Sequence, residues 1–337
     1  MKKITIKDIS QITGFSPMTI SRVINNEKYV KQETRDKVTQ VIEQYGYEPN
    51  YFARSLKTKL SKTIGLIIGE IENPYYSRLA KGVIDTAEKF DYSVMVCNSK
   101  YSPERGEKYL HMLVKRGVDG LIIATIDFSK DLIHDVKKKH IPFVLVTRKM
   151  DEPKDTNYIV ADDYYGGRLA AEHLVKLGHR KIYFLRTAEV LGAIERVRAF
   201  KDVMRENNIF FDETYFSQIV TNADESYTQT EYFLKERNEF TAIIAANDFI
   251  AMGAMEAIFD AKLSIPEDIS LIGYDNLKIT SILKVPLTTI DQPKLSFGNL
   301  SAERLIEMIS DPKKAEVPQK LVIKPKLVQR ASCGRIM

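Results

Sequence analysis

Apolar and polar positions in the first fifty residues alternate with a helical period that is interrupted at glycines. Ile6, Ile9 and Ile12 recur behind Thr5-x-x-Asp8, the spacing of a capping box, and Gly14 stops the run. Ser16 is an N-cap candidate before Pro17 at the first helical position, and Ile20, Val23 and Ile24 follow at i, i+3, i+4. A third helix starts near Gln32, turns Val38, Val41, Ile42 and Tyr45 inward, and ends at Gly46. From Thr63 the pattern changes to short β-rich runs (64–69, 93–97, 121–124, 142–146) alternating with helices, among them 75–90, 103–116 and one through Val136. It starts again with runs at 158–160, 182–185, 242–245 and 269–273, separated by helices over 169–177, through Phe200 and through Phe259. Such βα alternation predicts parallel sheets covered by helices, here two doubly wound lobes. Ligands of such sheets bind outside the carboxyl ends of the strands, and two facing lobes form a cleft that can close.

Two short helices joined by a glycine turn, with a third closing their core, describe a helix-turn-helix whose second helix enters the major groove. With Ile20, Val23 and Ile24 inward, the opposite face presents Pro17, Met18, Ser21, Arg22 and Asn25. Arg22 has the fork of donors that suits guanine O6 and N7, and Pro17 and Met18 suit thymine methyls. Ser16, Thr19 and Asn25 are placed to hold phosphates. The same spacing also fits a three-helix packing domain without nucleic acid. Charge bears on the choice. Residues 1–60 carry 11 of the 50 Lys/Arg and 6 of the 45 Asp/Glu, so the head holds the chain's entire formal excess of +5. A basic head on a neutral body suits a polyanion. Behind it, residues 50–57 offer only about two helical turns, a length that is marginal alone and gains order from a partner.

Other chemistries find little support. No run of apolar residues has the length of a membrane span, and the start of the chain lacks the apolar segment of a secretory signal. Two cysteines, Cys97 and Cys333, make no disulfide framework or Cys-x-x-Cys pair. A cytoplasmic protein with no membrane contact is expected. The phosphate-binding glycine motifs, the Gly-x-Ser-x-Gly elbow and the His-Glu-x-x-His motif are absent, and the five histidines do not fall at ligand spacing. No enzyme activity, cofactor or metal is therefore expected. This counts against a dinucleotide-dependent α/β enzyme, as the missing leader and the basic head count against a transport solute-binding protein.

The run Thr5-Ile6-Lys7-Asp8-Ile9 … Gly14-Phe15-Ser16-Pro17-Met18-Thr19-Ile20-Ser21-Arg22-Val23-Ile24-Asn25 resembles the headpiece of the LacI/GalR (lactose repressor) family of bacterial transcription regulators. The likeness continues through Tyr45-Gly46-Tyr47-Glu48-Pro49-Asn50, Asn73-Pro74-Tyr75-Tyr76, Asp162-Asp163-Tyr164-Tyr165-Gly166-Gly167, Asn247-Asp248, Gly273-Tyr274-Asp275-Asn276 and Pro286 to Pro293. It implies a small all-α helix-turn-helix headpiece (1–48), a hinge helix and linker (49–61), and a two-lobed periplasmic-binding-protein-like α/β core (62–337). The lobes would comprise 62–161 with 292–320 and 162–291 with 321–337.

The resemblance implies a repressor that binds a pseudo-palindromic operator in double-stranded DNA as a homodimer. Leu56 matches a leucine that wedges into the minor groove from paired hinge helices, and Lys57 resembles the lysine that follows it; the alternative for Leu56 is a linker leucine tucked against the body. Thr5, Asn50 and Ala53 complete the DNA-facing set. Tyr75, Tyr76 and Arg196 match effector-contacting positions of the family, Arg148, Asn247 and Asp275 follow strands where the cleft should lie, and Gln292 lies on a crossover between lobes. An arginine and a carboxylate converging there suit neighbouring hydroxyls, which points to a sugar or sugar phosphate as the small-molecule effector. Against this, Arg196 could cap a carbonyl and Asp275 fix a turn, and Ala199 stands where the family usually has glycine. The helices around 75–90 and 251–281 resemble the family's dimer surfaces. No leucine heptad follows a last strand over 320–328, so no tail-mediated tetramer is expected. Ala302-Glu303-Arg304-Leu305 lacks the double basic surface with which one catabolite-control branch receives a phosphorylated carrier protein.

Overall fold

The computed structural model describes residues 4–24, 26–47, 60–125, 130–147, 156–187, 191–220, 222–236 and 239–336. The chain forms two compact units, Met1–Ser61 and Lys62–Met337. Asn25, Asn50, Ala53, Leu56, Lys57 and Arg148 lie outside the described residues.

In the first unit, α1 (Ile6–Thr13) opens on the capping box: Thr5 N–H donates to Asp8 Oδ2 at 2.8 Å, and Asp8 N–H donates to Thr5 Oγ1 at 3.3 Å. Ser16 caps α2 (Pro17–Ile24), accepting from Thr19 N–H at 3.2 Å, and α3 (Gln32–Tyr45) ends at Gly46 with φ +58°. Ile9, Ile20, Val23, Val38 and Val41 are buried together between the three helices. Two expected core positions are not. Ile12 is 46% exposed and Tyr45 49%. Steps of three drift about 60° each around a helix, so Ile12 has rotated off the face and Thr13 is buried instead, its hydroxyl donating to Ile9 O at 2.8 Å. Tyr45 lies in the last turn, and Tyr47, folded back by a bond from its N–H to Ile42 O at 3.0 Å, packs on the core.

The second unit holds two sheets. The N-lobe sheet is wholly parallel in the order β10-β5-β4-β3-β1-β2, with β1 (Thr63–Ile68), β2 (Ser93–Asn98), β3 (Gly120–Ala124), β4 (Phe143–Val146), β5 (Asn157–Ala161) and β10 (Lys320–Ile323). The C-lobe sheet runs β11-β9-β8-β7-β6, with β6 (Ile182–Leu185), β7 (Ala242–Ala245), β8 (Ser270–Asp275), β9 (Thr288–Asp291) and β11 (Lys326–Val328); only β11 is antiparallel. The strand expected over 320–328 is therefore two strands in different lobes. Pro325 has no N–H for a ladder, and the chain changes lobe there, after Ile323 and not after Lys320 as the expected boundary had it. The chain passes between lobes three times: from β5 to α7 (Asp163–Lys176), from β9 to α11 (Lys294–Ser310), and from β10 to β11.

Helices α4 (Pro74–Glu88), α5 (Pro103–Lys115), α6 (Lys130–Lys138) and α11 cover the N-lobe; α7, α8 (Leu191–Glu206), α9 (Ala223–Glu236) and α10 (Asp248–Asp260) cover the C-lobe. Helix α9 escapes the hydrophobic pattern because two of its three buried positions, Ser226 and Thr230, are polar; Phe233 is the third. Ser226 Oγ donates to Ile250 O at 2.7 Å, which ties α9 to α10. Helices α4 and α11 cross at Gly82 and Gly298. A Cβ on Gly298 would sit 2.1 Å from Leu79 O, and one on Gly82 would sit 2.3 Å from Leu295 O. Because backbone cannot yield as a side-chain tip does, Gly298→Val should cost about 1–3 kcal/mol or more. A melting temperature of the full chain equal to the parent's would show that the helices separate without penalty.

Candidate functional site

The head presents its expected face. Pro17 and Met18 are exposed, the latter 64%, Arg22 is half exposed, and Ser21 is intermediate. Thr19 is partly occupied: its Oγ1 lies 3.0 Å from Ser16 Oγ, inside the cap.

In the core, the strand ends converge on a cleft between the lobes. Tyr75 and Tyr76 follow β1 on the first turn of α4, where Asn73 caps the helix by accepting from Tyr75 N–H at 2.9 Å. Tyr101 follows β2, Thr147 β4, Asp163 β5, and Gly192, Ala193 and Arg196 come from α8 after β6. Asn247 follows β7, Asp275 ends β8, and Gln292 follows β9; all of these line the cleft. Six of the seven expected effector residues thus come together, and Arg148, the seventh, is outside the described residues. The space among these residues is about 160 Å³, close to the ~150 Å³ of a cavity that accepts benzene, and a further space of about 220 Å³ shares Thr147, Ala161, Asp163 and Gly192 with it. The first is room for a one-ring ligand.

Its floor is a buried ion set. Arg196 reaches Asp163 Oδ1 from Nε at 2.9 Å and from Nη2 at 2.8 Å, and donates from Nη1 to Ala246 O at 2.7 Å. Its guanidinium lies 3.7 Å over the Tyr274 ring, whose hydroxyl donates to Asp163 Oδ1 at 3.4 Å. Burial works against the charge on Arg196, but Asp163 outweighs it and holds the group above its usual range. Asp275 Oδ1 accepts from Gln292 Nε2 at 2.7 Å, and its main-chain carbonyl accepts from Lys294 Nζ. Burial pushes the Asp275 carboxyl up to about 6, against the pull of Arg196, Lys294 and Gln292. Arg196 therefore does cap a carbonyl and Asp275 does sit in a special turn, with φ +114°, while both line the cleft. The two alternatives coexist.

The walls are aromatic. Tyr75 and Tyr76 meet edge to face at 5.2 Å, and Tyr101 tilts against Tyr76 at 6.1 Å. Burial drives the Tyr75 and Tyr76 phenols well above their usual range, which keeps them neutral donors. Asn247 spends its Oδ1 on the N-cap of α10, accepting from Ile250 N–H at 2.8 Å. Thr147 is held at φ +67°, costly for a β-branched residue, and its buried hydroxyl has no partner among the described residues. Asn73, Tyr101, Thr147 and Asp163 were not expected at the site. Each directly follows a strand's carboxyl end or the turn after it, the signal that would have found them. Ala199, in place of the usual glycine, packs beside Gly167 of α7, where a Cβ would lie 2.9 Å from that of Ala199. His179 is structural, its ring bonded to Thr241 Oγ1 at 2.9 Å and Gly334 O at 3.1 Å.

Residues 61–331 match the family model described as periplasmic binding proteins and sugar binding domain of LacI family, and residues 5–50 that of bacterial regulatory proteins, lacI family. The chain is 33% identical to the HTH-type transcriptional repressor PurR of Actinobacillus pleuropneumoniae serotype 3, over 97% of this chain and 98% of the relative. It is 33% identical to the HTH-type transcriptional regulator DegA of Bacillus subtilis, over 98% of each. The lac repressor bound to ONPG in the repressed state superposes with a TM-score of 0.86 at 28% identity, covering 98% of this chain and 100% of that one. A LacI family regulator from Enterococcus faecium with bound ribose superposes at 0.75 with 32% identity, covering 82% and 100%. A helix-turn-helix head followed by a two-lobed ligand-binding core defines a DNA-binding transcriptional regulator. The chain belongs to the LacI family of bacterial regulators. No helix among the described residues is long and apolar enough to cross a membrane.

Behind the cleft, Asp248 is wholly buried and accepts from Thr289 Oγ1 at 2.6 Å and Leu277 N–H at 2.7 Å. Burial first, then the charge of Asp275, raises its carboxyl to about 7. An acid raised above its unfolded value of ~3.9 holds more protons when folded, so its contribution to stability falls as pH rises from ~4 to ~7. Asp248→Asn, neutral throughout, should melt less steeply with pH across that window, because the Thr289 hydroxyl can turn to accept from the amide. An unchanged slope in a thermal-melt series from pH 4 to 7.5 would rule out Asp248 as its source.

Proposed function

We propose that this protein is a cytoplasmic repressor that binds a pseudo-palindromic operator as a homodimer and is controlled by a neutral one-ring sugar or polyol in the interlobe cleft. The observation that carries the ligand class is the charge and size of the cleft. Among its described lining residues, two carboxylates face one guanidinium that Asp163 already occupies, within a volume of about 160 Å³. Asp163 and Asp275 accept from adjacent hydroxyls, the Asn247 amide and the Thr147 and tyrosine hydroxyls donate, and the tyrosine faces stack on the ring's apolar side. A phosphate would meet two like charges. The bound ribose in the Enterococcus faecium relative supports the same class, which narrows the wider expectation of sugar or sugar phosphate.

On the DNA side, Arg22 reads guanine, Pro17 and Met18 touch thymine methyls, and Thr5, Ser16, Thr19, Ser21 and Asn25 hold or flank phosphates. Residues 49–61 carry the hinge, with Leu56 as wedge and Asn50, Ala53 and Lys57 beside it. One head reads a few base pairs, so specificity requires the dimer. Its surfaces are the outer faces of α4 and of residues 251–281, which expose Ile84 (43%) and Ile279 (42%). A differential affinity of the ligand for two lobe arrangements of ~1–3 kcal/mol suffices as a switch.

A thermal-shift screen of the full chain with pentoses, hexoses, their phosphates and purines tests the ligand class; stabilisation by a phosphate or purine alone would replace it. Asp275→Ala should erase the ligand response of operator binding in a gel shift and leave DNA affinity intact, and a normal response would move the pocket elsewhere. Arg22→Ala should cost roughly 1–3 kcal/mol and relax choice at one base pair per half-site. Undiminished discrimination on base-substituted duplexes would remove Arg22 from the readers.

A further inference from the structure

Glu27 stands beside Arg22 in the turn that ends α2. Arg22 Nε lies 3.6 Å from Glu27 Oε2, with the two side chains 54% and 50% exposed. The backbone builds this approach. Asn26 adopts a left-handed φ of +51°, its N–H donates to Val23 O at 3.0 Å, and Glu27 N–H donates back to Arg22 O at 3.0 Å. The two bonds form a Schellman motif with asparagine in the left-handed position. The motif folds Glu27 over the residue whose carbonyl it caps. Helix α3 then locks the turn: Arg35 donates from Nη1 to Asn26 Oδ1 at 2.7 Å and from Nη2 to Glu27 O at 2.8 Å.

We propose that Glu27, clamped by Arg35, is a positioning residue that aims Arg22 at its base pair; this rests on the reading of Arg22 as the guanine-contacting side chain. A guanidinium offers five N–H donors in a fixed fork. A carboxylate on the Nε side leaves the terminal Nη groups for guanine O6 and N7. Without that partner, a long cationic side chain beside a duplex turns to phosphate, which recurs at every step and carries no sequence information. The charge of Glu27 works in the same direction. It is repelled by phosphates on any duplex, and so weakens binding to all sequences while the base contact of Arg22 favours one. A half-exposed ion pair adds little to folding stability, so its effect lies in orientation.

The test uses the full-length chain and a duplex that it selects from a random pool, together with that duplex substituted at each base pair. Glu27→Gln keeps the length and removes the charge. It should raise affinity for random duplex, lower discrimination at the Arg22 base pair roughly fivefold, and leave the other pairs and the melting temperature unchanged. Arg35→Lys, which keeps the charge but not the two-pronged clamp, should give the same loss at the same pair. In an Arg22→Ala background, Glu27→Gln should change nothing at that pair. A loss that persists in that background would mean that Glu27 touches a base itself, which overturns the positioning role. Full discrimination in Glu27→Gln, while Arg22→Ala relaxes one pair, would overturn it too and leave Arg22 a reader. If Arg22→Ala relaxes no pair, the reading of Arg22 falls and the role of Glu27 with it.

Discussion

A guanidinium taken out of water must find partners, and the architecture of the cleft follows from how Arg196 finds them. A charge left bare in a protein interior costs several kcal/mol. Arg196 avoids this with Asp163 at 2.8 Å, the Ala246 carbonyl at 2.7 Å and the face of Tyr274. Those partners belong to the start of α7, the end of β7 and the end of β8, so one side chain of α8 fixes four elements against each other. The same constraint shapes the opposite side, where Gln292 and Lys294 from the β9–α11 crossing hold the side chain and carbonyl of Asp275. The polar groups of the cleft are therefore set before a ligand arrives, which lowers the ordering cost of binding. Because Asp275 is tied to a crossing between lobes, the ligand contact proposed at Asp275 would act on that crossing.

The elements of the head were legible because each end carries its own stop: Thr5 with Asp8, Ser16 before Pro17, and glycines after α1 and α3. Local hydrogen bonds decide those ends, and local sequence encodes them. Positions decided by tertiary packing were less legible. Ile12 is apolar but off the face, Thr13 is polar and buried, and only the partner helices determine which of them is covered. Helix α9 shows the same limit, since Ser226 and Thr230 face inward through hydrogen bonds and small size, which a hydrophobic period does not register.

For the cleft, the family likeness supplies Tyr75, Tyr76 and Arg196, while their places after strands supply Asn247 and Asp275 and the crossing between lobes supplies Gln292; all six line it. Asp163 follows β5, so its place at the cleft is legible; its role is not, because a residue that holds another's charge is recognised only when the two are seen together. Thr147 is legible in the same way, but its left-handed backbone is not, since a positive φ is no property of threonine. Pro325 is the converse case, since its missing N–H is a plain local signal against a single strand over 320–328.

The acids of the cleft also link binding to ionisation. Asp275 and Asp248 are raised to about 6 and about 7 because burial first, and then a neighbouring carboxylate, Asp163 for the one and Asp275 for the other, oppose their charge. A bound hydroxyl that donates to Asp275 stabilises the ionised form and so draws the carboxyl back down. Near the raised value, ligand binding expels a fraction of a proton, and by reciprocity acid weakens the ligand's hold. Lys294, bonded to the Asp275 carbonyl from the start of α11, carries the compensating positive charge on the crossing. On the proposed reading, a change in the charge of Asp275 is felt first by a crossing between the lobes, so the carboxylate that would accept from a hydroxyl is bonded to the segment that joins them.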